Sequence, residues 1–194
     1  MVVLIDNGHG KDTAGKRSPD GRLREYAYAR EIAARLEQAL KEHGIEAVRI
    51  TPEENDVPLS ERVKRANKYG TDNVVLVSIH CNAAGDGTSW FPAGGGSFYV
   101  ALTASQDSKR LATALANAAE DYGLNVRKET AGINYWVQSL YICKHTLCPA
   151  VLTENLFQDN KEDVDYLLSE KGKQTIVNLH VEGIIKYIER YGKG

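Results

Sequence analysis

No stretch of this sequence approaches the roughly 18 consecutive apolar residues needed to cross a bilayer, so no membrane-spanning segment is expected. An excess of positive charge is also missing. The 24 Lys and Arg stand against 26 Asp and Glu, a formal net charge of −2 that excludes the basic footprint of a nucleic-acid-binding surface. Cysteine is sparse and odd in number: with three (Cys81, Cys143 and Cys148), a disulfide framework is not expected. Cys143 and Cys148 lie five residues apart, and in an extended segment rising about 3.3 Å per residue they would sit beyond disulfide reach. Reduced, mostly buried thiols are the expectation. Repeats, linkers and low-complexity tracts are absent, so residues 1–194 are read as one domain, long enough to bury a core. No leader is expected either, because a strand-like run already begins at Val2.

What the chain does have is alternation. VVLID at 2–6 is a short apolar run, and a helical stripe follows over about 24–43, with Ala29, Ile32, Ala33, Leu36 and Leu40 on one face and Gly44 closing it. IEAVRI at 45–50 reads as a second strand. Pro58 opens a helix carrying Leu59, Val63 and Ala66 that stops near Gly70, and VVLVSI at 74–79 is strand again. SFYVAL at 97–102 follows a long Gly-rich loop, and a helix over roughly 105–122 follows in turn. A less regular stretch then leads to SLYIC at 139–143, read as extended, before PAVLT at 149–153 and a last helix over roughly 170–191. Continuous apolar strands between amphipathic helices predict an α/β domain: a twisted, mostly parallel mixed sheet flanked by helices on both faces.

Sites in open α/β sheets form beyond the carboxyl ends of strands, and three strand ends here carry ionisable groups. VVLID runs into Asn7-Gly8-His9-Gly10, VVLVSI into His80, and PAVLT into Glu154; Glu25 stands near the start of the first helix. Two histidines and a carboxylate suit a catalytic zinc, which keeps a fourth position open. A further carboxylate could serve as general base. A plainer reading stays open on spacing alone. In it the histidines are strand-end surface residues, Glu25 is a helix-start charge favoured by the dipole, Glu154 is a turn residue, and Gly8 and Gly10 are turn glycines. His145 lies between Cys143 and Cys148 in a spacing that matches no common zinc motif, and Cys81, next to His80, points to the opposite face. His43 sits at a helix end, and His180 sits in mid-helix with no partner in view. Trp90, Phe91, Tyr135 and Trp136 lie in loops and are assigned no role.

Four ordered blocks resemble the zinc-dependent N-acetylmuramoyl-L-alanine amidases of the type-3 group. Asp6-Asn7-Gly8-His9-Gly10 is similar to that family's opening motif, and Glu25 falls where its ligand glutamate begins the first helix. Arg62, Ala66 and Asn67 followed by VSIHCNA, and then CPAVLTENLFQDN with Glu154, Phe157 and Asn160, complete the likeness. The resemblance implies that His9, Glu25 and His80 bind Zn2+ and that Glu154 is the catalytic carboxylate. Asp6 and Asn82, close to these in sequence, are candidates for supporting or substrate-contact residues. The resemblance further implies a peptidoglycan hydrolase that cleaves the amide between N-acetylmuramic acid and the first L-alanine of the stem peptide. Alternatives are a zinc peptidase acting within the stem and a non-catalytic wall-binding module. The implied partner is the muramyl peptide, with no nucleic acid and no membrane span; an activator or wall-binding partner is not identified. The implied place of action is the periplasm or the extracellular wall, reached as a trimmed form or as a phage-type lysin. Lys11, Leu156 and Asp159 depart from the family pattern, which has Gly, Gly and Ser there, and the loop at 84–96 is long for it.

Overall fold

The computed structural model describes residues 1–192, and six strands and six helices lie among them. In chain order these are β1 (Val2–Asn7), α1 (Glu25–Glu42), β2 (Glu46–Arg49), α2 (Leu59–Asn67), β3 (Val74–Asn82), β4 (Ser97–Val100), α3 (Gln106–Asp121), β5 (Trp136–Val137), α4 (Tyr141–His145), β6 (Ala150–Phe157), α5 (Lys161–Leu168) and α6 (Glu170–Tyr191). The strands form one sheet in the order β2-β1-β3-β6-β4-β5. Only β4 and β6 run antiparallel to each other, so the sheet is mixed and mostly parallel, as the sequence predicts.

Side-chain alternation divides the interior in two. Val3, Ile5, Val75, Val77, Ile79, Val151, Phe98 and Val100 face the larger core, with α1, α3 and α6 packed over them. Leu4, Leu76, Leu152 and Tyr99 face the smaller one, covered by Val63 and Ala66 of α2 and Ile142 and Cys143 of α4. Because successive residues alternate, Asp6, Ser78, His80 and Glu154 share the face of Leu4, Leu76 and Leu152. Cys81 falls in the larger core, on the opposite face from His80 as expected.

The structure corrects the sequence reading at several points. SLYIC is not extended: its last three residues fall in the one-turn helix α4, while Cys143 and Cys148 are free and buried, as the sequence predicts. Helix α5 and strand β5 were not foreseen. The two residues of β5 are too few for a period to show, and the eight of α5 are set by an end signal, the Asn160 side chain accepting from Asp163 N–H at 3.0 Å. Strands β3 and β6 also run on past Ile79 and Thr153, so His80 and Glu154 lie inside paired strands, directly opposite each other.

His180 does have partners. In the middle of α6 and fully buried, its Nδ1–H donates to Ile176 O at 2.7 Å, which leaves Nε2 to accept from the Thr153 hydroxyl at 3.0 Å. Burial pushes its pKa down to about 4 from the usual 6.5. The unfolded chain therefore binds a proton here that the folded chain refuses, and stability falls as pH drops from about 6.5 to about 4. Over that window the wild type should lose about 3 kcal/mol more than His180→Leu, read from urea midpoints at both pH values. Parallel losses in the two proteins would show that His180 does not carry the acid sensitivity.

Candidate metal centre

The four residues singled out at strand and helix ends come together at the carboxyl edge of β1, β3 and β6. His9 follows β1 through a turn that only small neighbours permit. A Cβ on Gly8 would collide with the His80 ring, and one on Gly10 with the backbone of Asn55 and Asp56. Both are close-approach glycines, not the turn glycines of the plainer reading. His9 itself adopts φ of +59°, the left-handed region that side chains rarely occupy and that clusters at functional sites. Glu25 is the first residue of α1, and only 1% of it is exposed. Its Oε1 lies 3.1 Å from His80 Nδ1 and 3.4 Å from His9 Nε2, and accepts from Cys81 N–H at 3.1 Å. The two imidazoles meet edge-on, with ring centroids 5.1 Å apart.

The donor set fits a metal. The His9, Glu25 and His80 ligand atoms all lie within 4.8 Å of one another, and a tetrahedral zinc with bonds of about 2.0–2.1 Å separates its ligands by roughly 3.3 Å. Both contacts of Glu25 Oε1 are close to that spacing. Burial opposes ionisation of Glu25, but the hydrogen bonds and charges of His80 and His9 outweigh it and hold the carboxyl well below the usual range. Burial pulls the His80 pKa down while Glu25 pulls it up, and the net shift is upward.

Glu154 differs from Glu25. It stands opposite His80 in the β3–β6 ladder, and its Oε2 is enclosed without a hydrogen-bond partner. Burial raises its pKa to about 7, with the nearby positive charge of His80 only partly compensating. A carboxyl poised near neutrality, beside a set that can hold a metal, has the protonation behaviour of a general acid–base. A 280 Å³ cavity reaches His9 and His80 and is lined also by Asp6 and Arg62 and by the apolar Val57, Leu59, Leu140 and Ile142.

Behind this edge lies a second polar layer that the sequence reading only partly anticipated. Arg62, 2% exposed, donates to Asp6 Oδ1 and Asn7 O at 2.7 Å each, Val57 O at 2.7 Å, Asp56 Oδ1 at 2.8 Å and His9 O at 3.4 Å. Asp6 also accepts from Ser78 Oγ at 2.6 Å and Thr51 Oγ1 at 3.2 Å. Asp6 thus holds the clamp on the His9 turn and touches neither histidine. The Asn82 side-chain oxygen accepts from Ala83 N–H at 2.9 Å. Gln158 was missed altogether; its Nε2 donates to Glu25 Oε2 at 3.2 Å. No spacing rule marks a single glutamine one residue past the end of β6 and four past Glu154.

The departures from the family pattern are local. Leu156 has φ of +63°, which explains why the pattern has Gly there, and its buried side chain offsets the strain by packing in the larger core. Asp159, fully buried, accepts from Ala84 and Gly85 N–H at 2.7–3.1 Å and so pins the root of the long loop. Lys11 points outward to Glu54.

Fold and cluster together define an α/β domain with a candidate hydrolytic metal centre at its sheet edge. The N-acetylmuramoyl-L-alanine amidase family of type 3 matches residues 3–186, and the chain belongs to that family. It is an amidase domain. It is 29% identical over 193 residues to the endolysin of Bacillus phage SPP1, covering 96% of this chain and 66% of that protein, so the chain spans about two thirds of that relative. Among solved structures, an N-acetylmuramoyl-L-alanine amidase from Clostridium difficile 630 superposes with a TM-score of 0.86 at 25% identity, covering 98% of each chain. The catalytic domain of CwlV from Bacillus (Paenibacillus) polymyxa var. colistinus gives 0.82 at 25% identity, covering 97% of this chain and 98% of that one.

Breaking the Arg62–Asp6 pair leaves a buried carboxylate without its counter-charge. Arg62→Met should cost about 3–5 kcal/mol of folding stability, and adding Asp6→Asn should restore about 1–3 kcal/mol of it. Urea denaturation of the three variants measures both numbers, and strictly additive losses would count against the coupling.

Proposed function

We propose that the chain is a zinc-dependent peptidoglycan amidase that hydrolyses the amide between the lactyl group of N-acetylmuramic acid and L-alanine of the stem peptide. The observation that carries this reading is the pairing, on adjacent strands, of a His–Glu–His donor set with a carboxyl held near neutrality. His9, Glu25 and His80 would hold the zinc, and an ion bound there would supply Lewis-acid polarisation of the scissile carbonyl and activation of water.

This chain's residues do the rest. Glu154 takes the proton from the attacking water and returns it to the leaving alanine nitrogen, a shuttle that a carboxyl with a pKa of about 7 performs in both directions. The free Oε2 of Glu154 has no competing partner, so its lone pairs remain available for that exchange. The apolar side chains lining the cavity beside His9 and His80 suit the lactyl and alanyl methyl groups. No helix among the described residues is long and apolar enough to cross a membrane. The protein acts on the cell wall, from the periplasm or from outside the cell, as a phage-type lysin or a remodelling enzyme; the endolysin among its relatives supports the wall as its place of action.

Two experiments test this reading. Purified peptidoglycan digested with zinc-loaded protein should release stem peptides beginning with L-alanine, by mass spectrometry; a chelator should abolish release and added zinc restore it. Shortened stems on intact muramyl linkages would make the protein a peptidase, and wall sedimentation without products would make it a binding module. Glu154→Gln should keep its zinc and lose at least about 10²-fold in turnover; near wild-type turnover would remove Glu154 from the mechanism.

A further inference from the structure

We propose that Gln158 is the positioning residue of the metal centre: it ties down the one carboxylate oxygen of Glu25 that the histidines leave free, and so sets both metal affinity and coordination number. This rests on the reading of His9, Glu25 and His80 as the metal-binding set. The two oxygens of Glu25 are used unequally. Oε1 meets His80 Nδ1, His9 Nε2 and Cys81 N–H, at 3.1, 3.4 and 3.1 Å. Oε2 receives a side-chain hydrogen bond from Gln158 Nε2 at 3.2 Å, its only such bond among the described residues. A carboxylate can only accept, so the amide nitrogen has to face it.

Gln158 is itself fixed. It is 2% exposed, and its backbone N–H donates to Asn82 O at 2.8 Å, just past the irregularity in the β3–β6 ladder. The same strand edge that aligns His80 with Glu154 therefore sets the height of this amide. Its other polar atom, Oε1, is buried without a partner. A side chain present only to fill space here would be apolar, because an unpartnered buried carbonyl is a cost. The contact with Glu25 is the interaction that offsets it.

The chemical consequence follows from the carboxylate. With both oxygens free it can swing to offer both to a metal, adding a fifth ligand to the set of three protein donors and a water that a hydrolytic centre uses. With Oε2 bound to Gln158, Glu25 presents Oε1 alone. The donor is a neutral amide, so the carboxylate keeps its full charge for the ion, which a guanidinium in the same place would compete for.

The test uses the full chain. Gln158→Leu and Gln158→Met remove the donor at similar volume, so failure of one to fold leaves the other to be measured. Zinc affinity is read by competition with a chelator of known affinity, coordination by the visible spectrum of the cobalt-loaded protein, and stability by thermal melting without metal. The expected result is a folded variant whose zinc affinity falls by about 10–100-fold and whose cobalt bands weaken as four-coordination gives way to five. A folded variant with wild-type affinity and spectrum overturns the proposal. So does one whose melting temperature alone changes, since that is a packing role. Wild-type protein that binds no zinc, or His80→Ala that retains it, overturns the metal reading itself and this proposal with it.

Discussion

A carboxylate that is 1% exposed stays ionised only if its lone pairs are engaged, and the design of this domain follows from how Glu25 meets that demand. Its two oxygens draw on three separate pieces of chain: the turn after β1, the end of β3, and the segment just past β6. Each arrives at the same point because parallel strands place their carboxyl ends on one edge of the sheet. The three strands that matter are adjacent in the order β1-β3-β6, so the site sits at the middle of the sheet and not at its edge strands. Helix α1 brings Glu25 to that edge by its first residue, where the helix dipole favours a negative charge.

The two glutamates illustrate how surroundings separate the roles of like groups. Glu25 is surrounded by donors and kept ionised, and Glu154, one strand away from His80, is buried with a bare oxygen and kept near neutrality. The arrangement gives one carboxylate suited to hold a cation and one suited to exchange a proton. Behind both, the Arg62–Asp6 layer stiffens the turn that carries His9 by bonding to its carbonyls, leaving the imidazole unencumbered.

Two of the four non-glycine residues with left-handed backbone among the described residues lie close to this edge. His9 and Leu156 occupy left-handed backbone, and Gly8 and Gly10 are hemmed in by the His80 ring and by backbone. Strain of this kind persists only where the surroundings over-determine the conformation, and here the sheet register, the Arg62 clamp and the Asp159-pinned loop do so from three sides. On the opposite face, α1, α3 and α6 seal the larger core, with the buried, neutral His180 among them.

The amino-acid sequence by itself determined the class of the fold, because hydrophobic period is a local property: alternating strands and helices, their order, and the ionisable residues at strand ends can all be read within windows of ten or twenty residues. It also carried His9, Glu25, His80 and Glu154, as members of ordered blocks. It did not reveal α5, β5 or the helical turn at 141–145, whose elements are too short for a period, and it left open the role of Gly8 and Gly10, whose constraint lies in His80 and in Asn55 and Asp56, far along the chain. Only the tertiary structure decided which oxygen of Glu25 faces which partner, that Gln158 serves the second one, that Asp6 belongs to Arg62 and not to the histidines, and that the pKa values of two glutamates in one site are pushed in opposite directions. The physical reason is the same in each case. Hydrogen-bond geometry and desolvation depend on distances between segments far apart in the chain, and those distances exist only once the strands have paired.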